Sequence, residues 1–348
     1  MKRLSIFIVG IMMAVVAMSR TFDMKQLGAD AKGIKSCTEL INRTIEKAAS
    51  EGGGTIYFPV GTYLTATIHM KSNITLYLES GAVLRFSDKF EDYLPFVTLR
   101  WEGTVMKSLS PLIYAHSADN VTISGRGTLD GNGLKWWLWE FDTRKVIKEN
   151  GGKLPTLDKL QQMWVDANKD LEISDYYKPS LERRMFRPPF IQFYECTNIL
   201  IENVKIINSP FWTINPAFCD NVTIHGVTIN NPSSNPKGPN TDGINPSSCR
   251  NVRISDCFIS VGDDCITIKS GRDADGRKYG KPCQNLTITN CIMLSGHGGV
   301  VIGSEMSGGV KRVAISNCVF DGTDAGIRLK ASRGRGGVVE DIRVDNIV

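Results

Sequence analysis

The sequence predicts an all-β protein: a solenoid of stacked coils with an N-terminal capping helix and a helical insertion. Three observations carry this. Short alternating segments recur through the second half of the chain. Seven of the nine cysteines fall at two fixed offsets within those segments, and 33 glycines in 348 residues suit a turn-rich architecture. Apolar residues make up 42%, enough for a sizeable core, and the net charge is a mild +5. All-β solenoids of this length often form one domain.

In chain order, Lys2 and Arg3 precede an apolar stretch, Ile6 to Ala17, followed by small residues Ala14, Ala17 and Ser19. This reads as a secretory signal peptide over 1–19, shorter than the roughly 20 residues that span a bilayer. A secreted or periplasmic protein is expected, with no stable membrane insertion. The first cysteine is Cys37, so no lipid-anchored form is expected. Residues 20–348 are expected to be one domain. Ser36-Cys-Thr-Glu39 matches a capping box opening a helix through about Ala49. Such a helix can cover a strand edge. Gly52 to Tyr63 follows as turn, strand, turn, strand.

Residues 134–187 break the pattern. They carry Trp136, Trp137, Trp139 and Trp164, and helical stretches such as Leu157–Asn168. They are either a packed excursion or a wall beside a binding groove.

The repeat itself begins at Asn198-Ile-Leu-Ile-Glu-Asn-Val-Lys-Ile and returns at Asn221, Asn251, Asn285, Arg312 and Asp341, with weaker copies at Asn73 and Asn120. Period-two alternation gives one buried and one wet face. Spacings of about 23 to 34 residues mean constant strands joined by variable loops. Cys196, Cys219, Cys249 and Cys283 lie two residues before a segment start; Cys257, Cys291 and Cys318 lie six after one. Small buried residues stacked in columns explain this placement, and disulfides between neighbouring coils stay open geometrically. An odd cysteine count leaves at least one thiol unpaired within the chain. The chain stops at Val348 inside a repeat, so a full-length protein is expected to carry further coils.

Four stretches resist the alternation: Asn240-Thr-Asp242, Gly262-Asp-Asp264, Gly296-His-Gly298 and Arg328-Leu-Lys330. Asp263 and His297 share an offset in their coils and should be neighbours. Arg328 and Lys330 share a strand face. Asp263, Thr267 and Lys269 would face outward, but Cys265 has the same parity. Either the strand bends after Asp264 or Cys265 is exposed, and the bend is favoured because two adjacent aspartates do not enter a dry core. Singly these residues have plainer readings: a turn or calcium site for Asp263-Asp264, a loop histidine, a solvated basic face.

Together, in this order, they resemble glycoside hydrolase family 28, the polygalacturonases, whose motifs read N-T-D, G-D-D, G-H-G and R-I-K. Three match letter for letter, and R-L-K is a tame swap if Leu329 is buried. The resemblance covers roughly 21–348 and is nearest to bacterial exo-acting members through Lys269 to Arg277 and Ile302 to Gly309. It implies a right-handed parallel β-helix of the pectin lyase-like kind. It also implies hydrolysis of α-1,4-galacturonosidic bonds with inversion, Asp263 as general acid, Asp242 and Asp264 as base, and His297 beside the acid. The chemistry is sound: glycoside hydrolysis needs one carboxylic acid and one carboxylate, and crowded carboxylates raise a pKa. Asn240, Lys269, Arg328 and Lys330 are the expected substrate-binding residues. A tyrosine that the family often draws from a later coil has no counterpart here. No cofactor, metal or nucleic acid is called for, and a monomer is expected. A hydrolase of rhamnogalacturonan or of modified galacturonides, and a non-catalytic polysaccharide-binding β-helix, remain alternatives; a calcium-dependent lyase is less consistent with the motifs.

Overall fold

Alternating segments with no helical period can bury their apolar face only against copies of themselves, and they do so by coiling. A computed structural model describes residues 20–152, 154–171 and 187–348. The signal-peptide expectation and residues 172–186 of the insertion lie outside the described residues. The chain winds as a right-handed parallel β-helix with three faces. The first face stacks Arg20–Asp23, Gly54–Phe58, Ile74–Leu78, Asp119–Gly125 and six later strands, all in parallel, as far as Val339–Ile347. The third face runs from Ile68–His69 through Ile191–Tyr194, isolated bridges at Ile214 and Ile244, then Ile266–Ile268, Val300–Gly303 and Ile327–Lys330.

Register makes the core. Ile201, Ile224, Ile254, Ile288 and Ile315 stand directly over one another, each at most 1% exposed. Each such side chain stabilises the fold by about 1.5–3 kcal/mol through burial alone. The asparagines that open the segments turn the chain through positive φ, for example Asn221 at 56° and Asn251 at 56°. Asparagine tolerates that region better than most residues. Their side chains form a ladder across coils: Asn120 donates to Asn73 (3.0 Å), Asn221 to Asn198 (2.6 Å) and Asn285 to Asn251 (2.9 Å). All nine cysteines are buried free thiols, the seven columnar ones among them.

The capping helix α1 spans Thr38–Ser50 and buries Ile41, Thr44, Ile45 and Ala48, one helical face. Its Asn42 both donates to Thr67 O and accepts from His69 N, each at 2.8 Å, closing the edge of the first third-face strand. The capping box does not form. Cys37 is the N-cap and makes no side-chain capping bond, and Glu39 pairs with Arg43 instead of reaching back. The insertion holds α2, Leu134–Glu149, and α3, Lys159–Ala167, and the capping box of this chain is there, between Asp158 and Gln161. Trp136 and Trp164 are fully buried, with Trp136 against Phe90 (4.3 Å) and Trp164 against Trp101 (6.3 Å), so these two tryptophans are core. An antiparallel hairpin, Val97–Trp101 with Thr104–Ser108, was not anticipated, although alternation around Glu102-Gly103 is a hairpin signal. It lies on the outer side of the third face. Arg100 N donates to the Gln192 amide oxygen (2.9 Å) and Arg272 N to Gly103 O (3.0 Å).

Candidate active site

The third face assembles the motifs by register. Ile244 bridges Ile266, and Ile266 pairs with Val300. Two residues back, Asp242 therefore stands beside Asp264; three residues back, Asp263 stands beside His297. The His297 N–H donates to Asp263 O at 2.9 Å, and Nδ1 lies 3.3 Å from Asp263 Oδ1. One oxygen of Asp263, one of Asp264 and a ring nitrogen of His297 all fall within 4.8 Å of one another. The chain bends at Gly262-Asp263 and again at Cys265, before the strand Ile266–Ile268, and Cys265 is fully buried, so the bend after Asp264 resolves the parity conflict. Gly296 brings the histidine turn close: φ is +153°, and a Cβ there would lie 2.5 Å from Asp263 O.

The three carboxylates have different surroundings. Asp264 is fully buried, with Oδ2 2.6 Å from Lys330 Nζ. Asp242 is 3% exposed; its Oδ2 accepts from Asn245 (3.0 Å) and Thr267 (3.2 Å), with Lys269 Nζ at 3.9 Å. Burial, then the Asp263 charge, push the Asp242 carboxyl well above the usual range, and Lys269 offsets this only in part. Burial also acts to raise Asp263, but the hydrogen bond and charge of His297, with Lys330 and Lys269, outweigh it and hold Asp263 low. Asp242 and Asp263 are thus pushed in opposite directions, and Asp263 pairs with His297. The hydrogen bond that its ring donates to Asp263 in turn raises His297.

The expected binding residues separate. Asn240 donates to Asp263 Oδ2 at 3.4 Å. Arg328 is exposed and has no ion pair among the described residues. Lys330 shares its strand and reaches Asp264. Leu329 registers with buried Ile302 yet is 59% exposed, so the condition set for a tame swap is not met. Lys269 is not at the groove surface. It is 3% exposed, bound to Glu305 at 2.7 Å and under the Trp212 ring at 4.6 Å. Thr267 is buried too. The outward reading of this strand fails because Glu305 and Trp212 cover Lys269 and Asp242 engages Thr267, so Ile266–Ile268 is buried on both sides. A calcium reading of Asp263-Asp264 is opposed by Lys330 on one side and by Lys237, 2.6 Å from His297 Nε2, on the other.

Comparison with known proteins decides the family. Residues 177–348 match the model described as "Glycosyl hydrolases family 28", and 21–100 match "Rhamnogalacturonase A/epimerase, pectate lyase-like". The chain is similar to a solved exopolygalacturonase of Thermotoga maritima, with 38% identity and a TM-score of 0.79, covering 94% of this chain and 76% of that one. The chain belongs to glycoside hydrolase family 28. Family 28 relatives of both modes of action are among its matches. A protein named "Probable polygalacturonase" from Vitis vinifera is 35% identical over 86% of this chain, and an "Endo-polygalacturonase" of Pectobacterium carotovorum subsp. carotovorum is 28% identical over 95%. The chain spans 54% of the Vitis protein and 74% of the Pectobacterium one.

Several residues of this family 28 site had no motif to announce them. Lys237 lies three residues ahead of Asn240, and that proximity is its one sequence signal. Glu305 sits in the Ile302 to Gly309 run without a stated role. Arg187 is buried and donates to Pro210 O (2.8 Å), Pro239 O (2.7 Å) and Asn240 Oδ1 (2.7 Å). Arg144 of α2 adds a bond to the same oxygen at 3.3 Å, and buried Glu140 holds Arg144 at 2.6 Å. Two guanidinium groups on Oδ1 fix the amide of Asn240, so Nδ2 faces Asp263. The insertion thus reaches the site through Asn240.

Proposed function

We propose that this chain hydrolyses α-1,4-galacturonosidic bonds of polygalacturonate by an inverting acid/base mechanism. One observation carries the reading: third-face register gathers Asp242, Asp263 and Asp264 at a single point, with His297 and Lys330 in contact and Arg328 two coils along from Thr267 on the same face. Asp263 is the most exposed of the three carboxylates and serves as general acid to the leaving oxygen. Asp242 and Asp264 activate the water. Arg328 offers a planar fork to a uronate carboxylate, and Lys330 and Asn240 line the same place. Lys269 acts from behind, through Asp242. The low pKa of free Asp263 is compatible with the acid role once substrate arrives, because a second anion beside it raises that pKa.

Action at chain ends is part of the proposal. The solved exopolygalacturonase is the supporting likeness, and Arg144 and Arg187 hold the insertion at the edge of the site, where α2 can close the groove. The chain is proposed to be a secreted or periplasmic monomer; no helix among the described residues is long and apolar enough to cross a membrane. The test is paired viscometry and reducing-sugar release on polygalacturonate, with proton NMR of the first product. Reducing sugar rising ahead of viscosity loss, with an inverted anomer, is expected. Early viscosity loss would show internal cuts. No release from any pectic polymer by wild type, with binding retained in Asp263→Asn, would favour the polysaccharide-binding reading.

A further inference from the structure

We propose that Lys237 is a positioning residue that fixes the His297 ring in its neutral Nδ1–H form, aimed at Asp263. The inference rests on the acid role proposed for Asp263. Lys237 lies in the loop before Asn240-Thr-Asp242, and its Nζ stands 2.6 Å from His297 Nε2. On the other side of the ring, Nδ1 lies 3.3 Å from Asp263 Oδ1. An ammonium group has only donors, so the nitrogen it meets must offer a lone pair. Nε2 is then the acceptor, and the ring's one proton resides on Nδ1, where it points at the carboxylate.

The charges facing the ring are few. Asp263 and Asp264 favour the imidazolium, and Lys237 opposes it. Around Asp263 stand His297, Lys330 and Lys269. An imidazolium in contact with Asp263 would hold that group as a carboxylate, the wrong state for an acid. By opposing the second ring proton, Lys237 widens the pH range in which the ring is a neutral donor, which weakens that hold and still orients the carboxyl group. The arrangement therefore couples a loop lysine to the protonation of the acid without touching the bond that breaks.

The experiment uses the full chain, its Lys237→Met and Lys237→Arg variants, and nitrogen-15 NMR of the histidine rings. The protein has four histidines, so His297→Gln assigns the signal. Above the His297 titration midpoint, wild type is expected to show the ring as the neutral Nδ1–H tautomer. Lys237→Met is expected to raise the His297 titration midpoint by about one pH unit and move the acid limb of kcat/KM on polygalacturonate upward with it. Lys237→Arg keeps a cationic donor and should restore both. An unmoved midpoint, or a neutral wild-type ring with its proton on Nε2, overturns the proposal. So does a tenfold rise in KM with kcat and the acid limb unchanged, which would make Lys237 a direct substrate contact. The NMR readout stands without turnover, so failure of the hydrolase reading is distinguished from failure of this one.

Discussion

Lys269→Met is the variant that separates the surface role read from sequence from the buried one seen in the fold. Lys269 Nζ lies 2.7 Å from Glu305, 3.9 Å from Asp242 and 4.6 Å from the Trp212 ring, with the side chain 4% exposed. Methionine fits the volume but leaves Glu305 to Arg272 alone, at 3.0 Å, and Asp242 without its nearest cation. Removing one partner of a buried pair costs about 3–5 kcal/mol, chiefly as stranded charge. Unfolding entropy of about 2.1 cal/mol/K per residue gives roughly 0.7 kcal/mol/K for a chain of this length, so Tm should fall by about 4–7 °C. Glu305→Gln should cost a similar amount. The double variant should lose less than the sum, because it strands neither charge. Activity should fall as well, since Lys269 lowers Asp242 and its loss drives that carboxyl higher. Thermal unfolding followed by circular dichroism, together with kcat and KM on polygalacturonate, decides the matter. An unchanged Tm with a raised KM would refute the reasoning and return Lys269 to the groove surface.

Other outcomes follow from the same geometry. Asp242 has its folded pKa raised, so its favourable contribution is present below the unfolded value near 3.9 and is lost as pH rises through the folded pKa. Asp242→Asn should therefore raise Tm at pH 7, leave it unchanged at pH 3, and lower kcat by about 10²–10⁴; a lower Tm at pH 7 would contradict the burial cost. Gly296→Ala places a Cβ 2.5 Å from Asp263 O at φ +153°, so the histidine turn must shift. Its kcat should fall at least tenfold while far-UV circular dichroism stays constant, and wild-type kcat would refute the close approach. Since all nine thiols are buried, a thiol reagent should label none of them in the native protein and all of them in denaturant.

Much of this was legible in the chain because the solenoid repeats its local rule. Segment starts, cysteine columns and the Asp263–His297 neighbourhood all follow from counting along coils that stack in register. The site motifs stood out by breaking that rule, and the bend after Asp264 was inferable from a parity conflict at Cys265. What escaped was contact across long sequence distances that no period marks. Arg187 meets Asn240, Arg100 meets Gln192, and Lys237 meets His297 through loops whose course no alternation dictates. Lys269 was misplaced for the same reason: parity gives the side of a strand, but Glu305 and Trp212, from other coils, determine whether that side is wet. At α1 the capping pattern lost to a competing pair, Glu39 with Arg43.

The vertical register has a consequence for how such a site tolerates change. Asp242, Asp263, Asp264 and His297 come from three successive coils, yet their spacing is set by strand pairing and not by the length of chain between them. Loops can grow or shrink at the turns without moving the reacting groups, provided each strand keeps its partner. A one-residue slip in Ile266–Ile268 would do the reverse: nearly the same composition, and no site at all. The third face thus behaves like a ruler against which surrounding segments can be exchanged, so grafting turns from relatives is a route to new groove shapes around an unchanged centre.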